Sequence, residues 1–416
     1  MRYSFLNLLK QSYRGHKSWQ PAWRPAKLKP SYDVVIIGGG GHGLATAYYL
    51  ANEFKIRNIA VLEKGYIGGG NTGRNTTIIR SNYLRDDTAR LYNHSLDLWQ
   101  DLSRELNFNV MYSGRGVYNL GHSLQDMRDI ERRVTANILN GIKSEVVSPA
   151  EIKKRIPIIN ISPKVRYPIL GASYQERGGV ARHDAVAWGF ARAASDLGVD
   201  IIQNCEVQGM QIQNGRIVGL HSSQGDIKTE KVGVAVAGHS SVLAAMAGIR
   251  LPIISRPLQA CVSEPLKPIL NTVVMSGQVH GYISQSNKGD IVMGGGVDGY
   301  TGYSQRGSPH INEHTIQSMI QLFPFLSRVR MNRQWAGIVD ILPDASPIVG
   351  KTPVKNLYIN CGWGTGGFKA TPGSGHVFAH TIAHDEPSKL NAAFTIDRFV
   401  TGSLVDEQGA SGVAQH

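Results

Sequence analysis

The sequence predicts an α/β protein: a doubly wound parallel-sheet domain with an inserted antiparallel-sheet domain. Three observations predict it. An apolar run, Val34 to Ile37, stops at a glycine turn; a helical stretch and a second apolar run ending in Glu63 follow. A second glycine-rich turn, residues 362–367, stands behind another apolar run near the far end of the chain. Between them, residues 209–236 and 257–300 alternate apolar and polar with period two, as antiparallel strands with one buried face do.

Composition bounds the function. At 416 residues and 42% hydrophobic content the chain exceeds one comfortable core and has ample material for two lobes. Its 47 glycines cluster in short runs without a period of three, which excludes collagen. No apolar run approaches the ~18 residues of a spanning helix, so no membrane association is expected. Cys205, Cys261 and Cys361 are far apart and odd in number. They make neither a disulfide framework nor a metal knuckle, which suits a reducing, cytoplasmic setting.

The net charge is +13, and seven of these charges lie in residues 1–31, which contain no acid. The remainder is only mildly basic and shows no basic face interleaved with aromatics, so no nucleic-acid partner is expected. The first 31 residues also carry Tyr3, Phe5, Tyr13, Trp19, Trp23 and three prolines. This reads as an extended arm docking on a partner; a disordered tail and a targeting peptide are the competing readings.

Element by element, Tyr32–Ile37 reads as a strand buried on both faces, Leu44–Ala51 as a helix and Asn58–Glu63 as a second buried strand. A Gly/Asn/Thr loop spans 65–76, 84–106 look helical, and 114–120 read as a strand. Residues 122–156 are mostly amphipathic helix, the last piece starting at Ser148-Pro149. A helix from Asp184 to Leu197 precedes short strands and a hairpin about Asn214-Gly215. Val234–Gly238 returns as a small buried strand; 312–323 are helical, 356–360 a strand, and a helix starts near 371. The expected division is an arm at 1–31; a cofactor domain of 32–118, 178–256 and 336–400; a substrate domain of 119–177 and 257–335; and a tail at 401–416.

Gly38-x-Gly40-x-x-Gly43 has the dinucleotide spacing. The first glycine allows the tight turn, the second lets backbone N–H groups approach a pyrophosphate, and the third lets helix and strand pack closely. Glu63 stands twenty residues after Gly43, where a carboxylate accepts from both ribose hydroxyls. The second glycine turn favours flavin over nicotinamide, because an extended cofactor needs backbone contact at both ends. Asp344-x-x-Pro347-Ile348-x-Gly350 fits the same closing segment.

These segments, with the Thr-Ile-Ile-Arg of 77–80, Ala237-Gly238 and Gly366-Gly367-Phe368-Lys369, resemble the flavin-dependent amine oxidases of the D-amino-acid oxidase group. The resemblance covers about residues 32–400. Within the group, Arg74–Tyr83, Arg182–Trp188 and Asn360–Lys369 look most like the beta subunits of heterotetrameric bacterial sarcosine oxidases. That resemblance implies oxidative demethylation of sarcosine with FAD. It also implies a covalent FMN at the interface with an alpha subunit, gamma and delta subunits as further partners, oxygen reduced to hydrogen peroxide, and the one-carbon unit passed to tetrahydrofolate. The implied FAD contacts are Gly38, Gly40, Gly41, His42, Gly43, Glu63, Lys64, Asn71, Thr72, Arg74, Asn75, Thr76, Val207, Gly364, Gly367 and Lys369.

Oxidising an N-methyl amino acid requires a held carboxylate and a C–H facing the flavin. Arg80 and Lys369 match the carboxylate-binding positions of single-flavin relatives, with Arg80 toward the FMN side. Thr77 stands where those relatives have arginine. They also tether FAD through a cysteine near Trp335-Ala336-Gly337, where this chain has none, so FAD is expected to be non-covalent. Their oxygen-activating lysine is missing from Ile291-Val292-Met293, which suggests a second redox centre. His183 matches the FMN-linked position, and Asp184 is expected to orient its ring or accept its proton. His42 is expected to pack against the glycine turn. His376, His380 and His384 form a helix stripe without a completing ligand. The alternatives are an FAD dehydrogenase for another secondary amino acid, such as dimethylglycine or an opine, and a non-catalytic electron-relay subunit.

Overall fold

The computed structural model describes residues 4–19 and 21–407. Two eight-stranded sheets and one of three strands carry the fold. The parallel centre of the first sheet is built from Asp200–Ile202, Ile59–Leu62, Ser31–Ile37, Gly225–Val234 and Leu357–Cys361. The apolar runs sit here because both faces are covered, one by the helices Gly41–Asn52, His183–Asp196 and Thr371–His384 and the other chiefly by Val207, Ile217, Leu220 and Ile227 of the adjoining strands, so every side chain of Ile59–Leu62 and Leu357–Cys361 is buried. Gly225–Val234 continues antiparallel into Arg216–Ser222, which forms the expected hairpin with Val207–Gln213.

Small residues let the covering helices approach closely. Gly41–Asn52 lies on Thr371–His384, and a methyl group at Gly375 would stand 2.4 Å from the Cβ of Ala45. Around this contact Trp99, Phe190, Phe378 and Phe394 fill one continuous core.

The second sheet runs Met331–Ile341, Ile254–Pro265, Asp290–Val297, Gly281–Gln285, Val273–Ser276, Val117–Gly121, Gly171–Gln175, Glu145–Val147. It is antiparallel except where Val273–Ser276 pairs in parallel with Val117–Gly121. The exception has a topological cause: the two strands come from separately inserted segments, so no tight hairpin joins them. The expected junctions near 118, 256 and 335 fall inside Val117–Gly121, Ile254–Pro265 and Met331–Ile341. Continuous strands therefore tie the lobes together. The third sheet joins Ile78–Ile79 and Ser113–Gly114 to Gly179–Val180.

The arm is not wholly extended. Phe5–Tyr13 is a helix capped by Ser4, whose side chain accepts from Asn7 N, because Leu6, Leu9 and Tyr13 recur at helical spacing. Residues toward 30 dock on the chain itself: Lys29 pairs with Asp200 at 2.6 Å, and Arg24 also reaches that carboxylate. Phe5, Leu6, Leu8, Leu9 and Tyr13 remain exposed. Among the described residues no helix is long and apolar enough to cross a membrane, and all three cysteines are buried and free.

Candidate active site

One cavity of about 760 Å³ opens between the carboxyl ends of the parallel strands and the second sheet. The strand-end crevice is where a doubly wound sheet offers backbone groups to a ligand. Gly38, Gly40, Gly41, His42, Glu63, Lys64, Asn71, Thr72, Arg74, Asn75, Thr76, Thr77, Arg80, Val207, Gly364, Gly367 and Lys369 all line it. Gly43 and His183 do not.

The first glycine turn shows why its spacing matters. Gly38 has φ of +114°, and a Cβ there would meet Ala235 O at 2.3 Å. At Gly43 a Cβ would stand 2.0 Å from Gly38 O, so this residue serves the strand–helix contact from behind the cavity. Gly41 N donates to Thr72 Oγ1 at 2.9 Å. The Glu63 carboxylate accepts from Gly39 N at 2.9 Å and Gly65 N at 2.8 Å, which fixes it at the mouth of the turn.

The loop after Gly65 braces the opposite wall. Asn71 clips Met331–Ile341, accepting from Ile338 N at 2.8 Å and donating to Ile338 O. Trp335 Nε1 donates to Arg74 O at 2.7 Å, and Asn75 Oδ1 accepts from Thr77 N at 2.7 Å. Thr77 has φ of +68°. This left-handed conformation strains a β-branched residue and turns the chain from the loop into Ile78–Ile79.

Two cations face the cavity beyond this loop. Arg80 is 7% exposed; its Nη1 donates to Asn82 Oδ1 at 2.9 Å, and its guanidinium lies 4.4 Å from the Tyr83 ring centroid. Lys369, also 7% exposed, donates from Nζ to Thr365 O at 3.0 Å. Ser95 Oγ and Trp99 Nε1 each donate to its carbonyl at 2.8 Å, which sets the direction of its side chain. Burial, and secondarily the Arg80 charge, hold the Lys369 ammonium well below its ordinary pKa.

Sequence reasoning missed the network behind the second glycine turn. His42 Nε2 donates to Gly367 O at 2.7 Å, its Nδ1 accepts from Ser374 Oγ at 2.7 Å, and Asn360 Nδ2 donates to Ser374 Oγ at 2.7 Å. Trp363 Nε1 donates to Asn360 Oδ1 at 2.6 Å, and its ring meets His42 edge-on. Asp340 was also missed. Its carboxylate accepts from Gly362 N at 2.6 Å, and burial raises its pKa to about 6 against the bonds from the 362–364 backbone. An acid inside the apolar run Ile338-Val339-Asp340-Ile341 was the available signal.

Three expectations are corrected. Asp344 does not close the cavity: it forms two buried bonds to Arg398, at 2.7 and 3.0 Å, and anchors the tail. Asp184 does not engage the His183 ring; Arg182 takes both its oxygens, at 2.8 and 3.0 Å, because the fork of a guanidinium matches a carboxylate. His376 is not a bare stripe residue, since it pairs with His94 at 3.1 Å and Glu53 at 3.1 Å.

His183 begins the helix His183–Asp196 and does not line the cavity. Burial lowers its pKa, so the ring is neutral at physiological pH. Ala181 N donates to Thr77 O at 3.2 Å and Ile78–Ile79 pairs with Gly179–Val180, tying this helix start to the cavity wall.

The glycine turn, the carboxylate fixed at its mouth and the strand-end cavity are the parts of a dinucleotide-dependent oxidoreductase. The chain belongs to the FAD dependent oxidoreductase family, which residues 33–381 match. It is 55% identical over 392 residues to the sarcosine oxidase subunit beta of an Arthrobacter species, covering 94% of this chain and 97% of that one. To the sarcosine oxidase subunit beta of Rhodobacter capsulatus it is 54% identical over 413 residues, covering 99% of each. The likeness to sarcosine oxidase beta subunits is thereby borne out. Among solved structures, L-proline dehydrogenase from P. horikoshii aligns with a TM-score of 0.85 at 27% identity, over 91% of this chain and 100% of that one.

Proposed function

We propose that this chain is the FAD-bearing catalytic subunit of a sarcosine oxidase, converting sarcosine to glycine by oxidative demethylation. The observation that carries it is the buried pair Arg80 and Lys369 in the same cavity as the glycine cradle. Two cations in a desolvated pocket grip one carboxylate, the arginine through two donors and the lysine as a point charge. That grip orients an amino acid so that its N-methyl group faces the remaining cavity. It also speaks against a relay subunit without a substrate.

The cofactor fits these residues. The cradle admits a pyrophosphate only because Gly38, Gly40 and Gly41 lack side chains, and Glu63 stands ready to exchange backbone donors for ribose hydroxyls. When bound, FAD supplies the hydride acceptor for the substrate C–H. Lys64, Asn71, Thr72, Arg74, Asn75, Thr76, Val207, Gly364 and Gly367 line the remaining length. No cysteine stands near Gly337, so the hold on FAD is non-covalent. The cavity lies between the parallel-sheet lobe and the second sheet, in keeping with a cofactor domain and a substrate domain.

The finer reading follows the resemblance. His183 carries a covalent FMN shared with an alpha subunit, oxygen is the terminal acceptor and becomes hydrogen peroxide, and the one-carbon unit passes to tetrahydrofolate elsewhere in the complex. Its neutral, half-buried imidazole supports this role, since only an unprotonated nitrogen attacks as a nucleophile. The exposed apolar residues of Phe5–Tyr13 suit docking on another subunit. The test is peptide mass spectrometry of the chain purified with its co-expressed partners. Residues 178–192 should carry FMN, and His183→Ala should abolish acid-precipitable flavin while sparing anaerobic FAD reduction by sarcosine. An unmodified peptide in active wild-type complex overturns the second flavin site.

A further inference from the structure

A third cation, partly buried, lines the cavity beside Arg80 and Lys369. Arg133 stands on the helix Leu124–Leu139, and its guanidinium shares the cavity wall with Asn82, Asn119 and Ser276. Its side chain is 12% exposed. Nη1 meets Glu407 Oε1 at 3.4 Å, a long contact at one corner of a group with five N–H donors.

Glu407 comes from the other end of the chain and is 1% exposed. Its two oxygens accept from Leu84 N at 2.6 Å and Arg85 N at 2.7 Å. These bonds are shorter than the contact to Arg133, so the backbone does most to hold the carboxylate. The tail that delivers it is itself pinned. Glu407 N donates to Asp344 O at 3.0 Å, and Val405 N to Asp344 Oδ2 at 3.3 Å, beside the buried Arg398–Asp344 pair. The arginine thus stands at a fixed place with donors to spare. The Arg80 charge reaches Arg133, and Tyr83 lies in the field of both.

We propose that Arg133 is a third substrate-binding cation, which draws the carboxylate of an amino acid into the cavity and holds it together with Arg80 and Lys369, with Glu407 of the C-terminal tail as its positioning residue. This rests on the reading that the cavity takes an amino-acid carboxylate. Glu407 offsets the Arg133 charge at longer range, so the contribution of Arg133 is short-range: N–H donors not used by Glu407 meet a carboxylate where the cavity wall keeps the local dielectric low. It also gives the C-terminal segment a role in the site that its distance in sequence conceals.

The test compares a charged ligand with its uncharged twin. Methylthioacetate and methylthioacetamide are titrated against the flavin absorbance of the FAD-loaded full chain, purified with any co-expressed subunits. Arg133→Met should weaken the acid about tenfold, in line with loss of one charge-assisted contact, and leave the amide within about twofold. It should raise KM for sarcosine with little change in kcat, and Arg133→Lys should recover most of the acid affinity. If Arg133→Met fails to fold, Arg133→Gln, which keeps a donor toward Glu407 without the charge, carries the same comparison. Equal losses for acid and amide mean that Arg133 only holds the tail, and overturn the proposal; so does an unchanged affinity for the acid. A wild-type protein that binds neither ligand overturns the carboxylate reading of the cavity first, and this proposal with it.

Discussion

His42 and Gly367, 325 positions apart, are joined by a hydrogen bond of 2.7 Å from the imidazole Nε2 to the carbonyl oxygen. The bond clamps the first glycine turn to the second, and Ser374 completes it by donating to Nδ1. The arrangement requires one neutral tautomer, with the proton on Nε2. Both ends of the nucleotide cradle thus depend on one ring.

His42→Ala should leave the Gly367 carbonyl and the Ser374 hydroxyl without this partner, costing about 1–3 kcal/mol. It should also lower the flavin-to-protein ratio. The pH dependence has a definite sign. Burial holds the folded imidazole below its ordinary 6.5, so below pH 6.5 the unfolded chain binds the extra proton. The stabilisation is present above 6.5 and lost as pH falls toward the lowered value. Thermal melts of wild type and His42→Ala between pH 5 and 8 should converge toward the acid end; parallel curves would count against the neutral clamp.

Glu63→Ala should reduce non-covalent FAD content and leave any covalent flavin in place. The carboxylate already holds Gly39 and Gly65 through their N–H groups, so some loss of turn rigidity is expected as well. Glu63→Gln separates the two effects by keeping an acceptor without the charge. The measurement is flavin released by acid, set against flavin retained in the pellet.

Lys369→Met should weaken a carboxylate ligand by about 1.5–3 kcal/mol, roughly ten- to hundredfold, the range for a hydrogen bond to a charged group. Burial and Arg80 lower the lysine pKa in the free protein, and a bound carboxylate raises it again. Binding therefore takes up a proton between those two values, and affinity falls as pH rises through that interval. Titrations of the ligand against flavin absorbance should show this slope in wild type and lose it in Lys369→Met.

Asp200 is 1% exposed and is reached by Arg24, Lys29 and the Tyr32 hydroxyl, the last at 3.2 Å. Deleting residues 2–29 should therefore destabilise the sheet edge as well as remove the exposed apolar helix. Both cations are about half exposed, so solvent screening limits the loss to about 1–2 kcal/mol. Asp200→Asn in the deleted chain should recover part of it. A melting curve unchanged by the deletion would assign the arm to partner contact alone.

The sequence by itself determined the parallel centre of the first sheet, the glycine turn at its first strand and the acid twenty residues on. Each of these is local: a buried strand is a continuous apolar run, and a tight turn near a phosphate requires glycine at set spacings. Only the tertiary structure decided what comes together from afar. The bond from His42 to Gly367, the anchoring of Asp344 by Arg398 and the seating of Glu407 against Arg133 leave no periodic or spaced trace. A histidine in a loop, or a glutamate near a chain end, carries the same local signal whether it meets water or a buried partner. Burial creates the difference, because a buried polar group must find its partner wherever packing brings one.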